Sequence, residues 1–231
     1  MTEAPAPPAQ PTRRRKVVVG IGGQGQGKTG GLLVPLVRQY VKTFGPESVI
    51  GLDVSGDLAE ALPELADRWE WPGFSEVGPW FLELTANKKG PAGGGWGPGL
   101  LVMPDADRYL TPNIIGDFAD LWIANRHLGL DVILDGHRPQ RLPKDLFSAA
   151  DELYLFALDE PNAMEYLKHV RGLGRIITVH MKLETTFSPK QRAQLLEVAA
   201  TLPPLPTKPG QALKVIPRTG QVVAVKFFDS P

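Results

Sequence analysis

Gly22-Gly23-Gln24-Gly25-Gln26-Gly27-Lys28-Thr29 sets four glycines, a lysine and a hydroxyl in the spacing G-x-x-x-x-G-K-[ST]. Glycine lets successive backbone N–H groups turn to one side, where they can wrap phosphate oxygens. A helix starting at the end of such a run adds its partial positive charge to the same place. Lys28 is then expected to contact the β- and γ-phosphates, the Thr29 hydroxyl to hold Mg²⁺, and Gly30 to continue the cradle. The spacing predicts an ATP site. A bland alternative exists, a glycine-rich turn that matches by chance in a chain holding 25 glycines. A strand before the run and a helix after it favour the phosphate reading.

Phosphoryl chemistry also needs an acid beside the metal. Leu101-Val102-Met103-Pro104-Asp105-Ala106-Asp107 is an apolar run ending in two carboxylates. Asp105 is the expected metal-shell acid, acting mostly through water, and also the group that polarises the attacking water; Asp107 is a second catalytic candidate. Either could be a solvated acid at a strand end, and Asp53 could share their load. Further on, the strand Asp131–Asp135 ends in Gly136-His137-Arg138-Pro139-Gln140. A histidine at such a tip can donate a hydrogen bond to phosphate or orient water, with Arg138 beside it; the alternative is an ordinary loop.

These groups need a frame that brings several strand ends together. Short apolar runs alternate with helical periodicity, the pattern of a mainly parallel sheet covered by helices. Strands are expected at Lys16–Gly20, Val49–Asp53, Leu100–Met103, Asp131–Asp135, Leu153–Ala157 and Arg175–Val179, with a short one at Trp80–Leu84. Helices are expected at Lys28–Lys42, where Pro35 marks a kink or crowded turn, and at Asp57–Arg68, Pro161–His169 and Ser188–Ala200. Ile114, Ile115, Phe118, Leu121 and Trp122 fall on one face of another helix running to about Asn125. Lys88–Gly99 is a glycine-rich connection. The division expected is a disordered Pro/Ala-rich leader at 1–14, a core at 15–201, and a Pro-rich strap with a terminal β-hairpin at 202–231.

LLVMPDADRYL resembles the hhhhDEAxR Walker B strand of the HerA/FtsK superfamily of P-loop ATPases. In that register Pro104 stands where the family has its first Asp, and Asp105 where it has the Glu. NRHLGLDVILDGHRPQ is similar to the strand that ends in a γ-phosphate sensor in viral members, with His137 in the usual Gln place. DELYLFALDEP, followed by Ala163 to Leu167, resembles a core strand and helix of virus-encoded packaging ATPases. The resemblance spans Val17 to Val179. It implies a RecA/ASCE-like three-layer P-loop NTPase fold, ATP and Mg²⁺ as cofactors, and a homo-oligomeric ring acting on double-stranded DNA through backbone contacts. It also implies Arg126 as an arginine finger in trans, although Arg126 could equally cap its own helix. The most specific expectation is the genome-packaging ATPase of a tailless, membrane-containing icosahedral virus, with a capsid or membrane vertex protein as docking partner.

With 231 residues, 42% of them hydrophobic, the chain can bury one α/β core. Its formal net charge is zero, so any grip on nucleic acid must come from a local patch or a ring of subunits. The absence of Cys excludes disulfides and thiolate metal sites. No run approaches the roughly 18 apolar residues of a membrane helix, so a cytoplasmic or virion-associated protein, not an integral membrane one, is expected. Arg13–Lys16 reads as a solvated flank or a phosphate contact; Arg138, Arg141 and Lys144, and Lys182, Lys190 and Arg192, are ordinary surface charge or the lining of a ring channel. The alternatives are a filamentous-phage assembly ATPase of the zonula-occludens-toxin type, a P-loop small-molecule kinase, and a nucleotide-dependent scaffold that hydrolyses poorly because of Pro104.

Overall fold

The aliphatic runs of the sequence are too short to be buried helices, and they assemble edge to edge as strands. The computed structural model describes residues 16–88, 99–110, 122, 129–158, 160–185 and 188–228. Six strands run parallel: β1 (Val17–Ile21), β2 (Val49–Leu52), β3 (Trp69–Glu70), β4 (Gly99–Met103), β5 (Leu130–Gly136) and β6 (Glu152–Phe156). Two more, β7 (Gln211–Ile216) and β8 (Gln221–Lys226), add antiparallel to β6, giving the order β3-β2-β4-β5-β1-β6-β7-β8. The terminal hairpin is therefore the end of the main sheet.

Alternation along these strands builds two apolar faces. Val17, Val19 and Ile21 join Leu101, Met103, Val132 and Leu134 on one side. Val18, Leu100, Val102, Ile133 and Phe156 face the other. Helix α1 (Val34–Phe44) covers the second face with Val34, Val37 and Tyr40, joined there by Leu58 of the short α2 (Asp57–Ala61). The first face is covered by α3 (Val77–Lys88), α4 (Lys144–Ala149), α5 (Pro161–Leu167) and α6 (Leu173–Leu183). The result is a three-layer α/β/α sandwich. Each fully buried Leu, Ile or Phe contributes about 1.5–3 kcal/mol, so the two faces carry the fold. Helix α7 (Pro189–Ala199), opened by a Ser188–Gln191 capping box, buries no residue.

Three expectations are corrected. Arg175–Val179 is not a strand but part of α6, because Leu173, Ile176 and Ile177 recur at helical spacing and outweigh the local β-branched run. Trp80–Leu84 likewise lies in α3, whose Val77, Phe81 and Leu84 are buried at i, i+4 and i+7. The helix expected over Asp57–Arg68 breaks at Leu62 (φ −135°) before Pro63, and a 3₁₀ segment completes it. The helix expected up to Asn125 lies, apart from Trp122, outside the described residues, as do most of the Lys88–Gly99 connection and the leader.

Candidate functional site

β1 lies between β5 and β6, so its C-terminal end opens where neighbouring loops diverge, the usual place for a ligand in such sheets. Gly22 N donates to Gly136 O (3.2 Å) and Gly23 N to Ala157 O (2.8 Å), which ties the loop base to the tips of β5 and β6. A Cβ on Gly22 would lie 2.5 Å from Phe156 Cβ, so only glycine passes this point. Gly25 and Gly27 adopt φ of +73° and +85°, turning the chain back. Lys28 is 5% exposed, and its Nζ donates to Gly22 O and Gly23 O, both at 3.0 Å. It also lies 3.1 Å from His137 Nδ1. Burial lowers the Lys28 pKa, while the negative charges of Asp135, Asp105 and Asp107 act the other way.

Thr29 opens a wide π-helical turn, Thr29–Leu33, in which Val34 N reaches back to Thr29 O. The extra residue per turn brings Pro35 to the second position of α1, where its missing N–H and bulky ring do no damage. Where the position of Pro35 predicts a kink or a crowded turn, the structure has a widened turn just ahead of it. On the open side of the loop, Gly210 N donates to Gln26 O (3.1 Å). The Phe228 ring, just past β8, packs on Gly27 and Gly31.

Opposite Lys28, the tips of β4 and β5 are clasped by each other's side chains. Asp135 of β5 accepts the Asp105 N–H through Oδ1 (2.7 Å). Asp107, past β4, accepts His137 N–H (2.8 Å) and Arg138 N–H (3.2 Å). Asp135 is 1% exposed and Asp107 5%. Asp105 sits in the left-handed region (φ 51°, ψ 36°), alone among the described residues other than glycine. Its Oδ1 meets His137 Nε2 at 2.8 Å, and its Oδ2 lies 3.7 Å from Arg108. That hydrogen bond lowers the Asp105 pKa and raises that of His137. Burial pushes Asp135 up to about 6. Lys28, His137 and Asp105 thus form one hydrogen-bonded chain across the loop mouth.

The sequence-predicted groups Lys28, Asp105, Asp107 and His137 converge. Arg138 sends its side chain outward, with Nε 4.0 Å from Glu160. With Gly23, Gln24, Arg108 and Arg141 it lines a cavity of about 370 Å³ beside the loop. Asp53 is not among the converging acids, for its carboxylate accepts the N–H groups of Gly56, Leu58 and Ala59 at the start of α2. Arg126 lies outside the described residues. Asp135 was missed by sequence reasoning; the signal was an acid closing the β5 run two residues before His137.

The donor set suits magnesium bound with a nucleotide. A threonine hydroxyl and an aspartate carboxylate, as at Thr29 and Asp105, are hard oxygen donors of the kind magnesium takes. Among the described residues no group of three or more His, Cys, Asp or Glu could hold a metal alone. No helix among the described residues is long and apolar enough to cross a membrane.

No protein-family profile and no curated protein matches the chain in sequence. Solved structures do match in fold. B204, the genome-packaging NTPase of Sulfolobus turreted icosahedral virus 2, in complex with ATPγS, is 15% identical with a TM-score of 0.60, over 93% of this chain and 98% of that one. B204 described as the DNA-packaging ATPase of Sulfolobus turreted icosahedral virus is 18% identical, with the same coverage and TM-score. The cytoplasmic domain of the type VII secretion ATPase EccC of Thermomonospora curvata is 12% identical with a TM-score of 0.61, over 94% of this chain and 24% of that one. This chain has the fold of P-loop NTPases.

Proposed function

We propose that this chain hydrolyses Mg·ATP and, as a homo-oligomeric ring, moves double-stranded DNA by its backbone in packaging a viral genome. The observation that carries the reading is the hydrogen-bonded chain from Lys28 through His137 to Asp105 at the mouth of the glycine loop. Backbone amides from Gly25 to Gly30 hold the phosphates, with Gly22 to Gln24 forming the base of the cradle. Lys28 exchanges its loop carbonyls for β- and γ-phosphate oxygens. Thr29, and Asp105 through water, would hold magnesium, which when bound would supply positive charge against those oxygens. Asp105 takes a proton from a water whose oxygen attacks the γ-phosphorus. The bond to the bridging oxygen breaks, leaving ADP and inorganic phosphate.

When Lys28 turns to phosphate, His137 Nδ1 is released and can report the γ-phosphate to the β5 tip, with Arg138 beside it. Loops beyond that tip then push on the DNA, a step that needs no reading of bases. Arg126 would complete a neighbour's site. A capsid or membrane vertex protein is the docking partner of such a motor, in the cytoplasm or on the virion. The B204 structures holding ATPγS and AMPPCP support the nucleotide part of this reading.

The test is ATP turnover with and without duplex DNA, alongside particle mass in solution. Expected are an oligomer, stimulation by duplex of any sequence, and loss of turnover in Lys28→Ala. An oligomer whose turnover ignores DNA would overturn the translocase, and failure to bind Mg·ATP would overturn the whole reading.

A further inference from the structure

We propose that Asp135, at the tip of β5, does the work of the acid that Pro104 leaves out of β4, facing the magnesium shell with one carboxylate oxygen while the other holds Asp105 in place. The inference rests on the magnesium–nucleotide reading above. That reading makes two demands on nearby carboxylates: one to order the waters of the metal shell, and one to take a proton from the attacking water. Asp105 is divided between the two, with His137 on one oxygen and Arg108 near the other.

The other acids are already committed. Asp107 uses both oxygens on the His137 and Arg138 N–H groups, and Asp53 uses both on the first turn of α2. Asp135 is different. Met103 lies beside Leu134 and Gly20 beside Asp135, so Asp135 stands level with Pro104 and next to the point where β1 becomes the glycine loop. A carboxylate missing from one strand is present on its neighbour. Asp135 is 1% exposed, yet its hydrogen bond among the described residues uses Oδ1 alone. Lys28 is the foremost of the charged groups acting on it. A buried carboxylate with an oxygen left over is costly unless a cation shares the space. The Asp105 amide alone would need only a neutral acceptor.

Asp135→Asn keeps an acceptor for that amide and removes the charge. The full chain saturated with ADP is titrated with Mn²⁺, followed by the electron paramagnetic resonance signal of the free ion. Calorimetry with ADP in EDTA gives the metal-free affinity. Asp135→Asn should weaken Mn²⁺ by about tenfold or more, as loss of an outer-shell partner does. It should not weaken metal-free ADP binding, since it removes a negative charge beside Lys28, and it should not lower the thermal midpoint. Pro104→Asp in the Asp135→Asn background should recover most of the Mn²⁺ affinity. Wild-type Mn²⁺ affinity in Asp135→Asn, an equal loss of metal-free ADP binding, or no recovery with Pro104→Asp would overturn the assignment while leaving the nucleotide reading standing. A wild-type chain that binds no ADP would remove both.

Discussion

Asp135 should cost the fold stability at neutral pH, and replacing it should show this. Burial raises its pKa from 3.8 to about 6, so the folded chain keeps this proton over a range in which the unfolded chain has released it. Stability from this residue is therefore present below about pH 4 and is lost as pH rises to about 6. Displacement of that size corresponds to about 3 kcal/mol once the group is ionised in both states. Asp135→Asn retains an acceptor for the Asp105 N–H but makes a weaker, uncharged bond, so a net gain of about 1–3 kcal/mol is expected above pH 7. For a chain of this size that is a rise of roughly 3–10 °C in thermal midpoint. The assay is urea unfolding of both proteins in EDTA at intervals from pH 4 to 8. The difference should vanish near pH 4 and reach its maximum above pH 7. A variant less stable than wild type at pH 8, or a difference that does not change with pH, would refute the reasoning.

Asp107→Ala strips two backbone N–H groups of a buried carboxylate, and should lower stability by about 2–4 kcal/mol, measured by urea unfolding; an unchanged midpoint would show that the clasp is not needed. Asp53→Ala should cost about 1–2 kcal/mol by uncapping α2 while Mg²⁺-dependent ADP affinity stays at the wild-type value, so a loss of that affinity would return Asp53 to the site. The His137–Asp105 pair has its own pH signature, because the bond holds His137 above 6.5 and Asp105 below 3.8. The His137 part is full below 6.5 and fades as pH climbs through the raised value, whereas the Asp105 part is full above 3.8 and fades as pH falls through the depressed one. The stability advantage of wild type over His137→Ala should then be greatest between about pH 4 and 6.5, and a pH-independent advantage would contradict the pairing.

The glycine loop was legible because its chemistry is local: spacing alone places Lys28 and Thr29 at the start of a helix, whatever the rest of the sheet does. His137 was legible for a similar reason, as the polar residue that ends a buried strand. The division of labour among the acids was not. Whether Asp53, Asp107 or Asp135 faces the loop depends on how β1, β4 and β5 are paired, and no spacing within one segment reveals that register. Asp53 in particular closes a strand as a metal-shell acid would, but the next turn of chain takes its carboxylate. The misread strand at Arg175–Val179 has the same origin. β-branched Ile176, Ile177 and Val179 suit either state, and contacts with the sheet made by Leu173, Ile176 and Ile177 select the helix.

Gly27 and Gly31 carry no side chains, and the ring of Phe228 rests on them. Two stretches about two hundred positions apart thus share one wall. Trimming the chain after α7 would strip that wall away and leave β6 an open edge. A fragment cut there keeps its spacing motif and loses the ring and the Gly210 N–H that rest against the loop. Affinity handles for purification are better placed ahead of Lys16, at the opposite end of β1 from the loop.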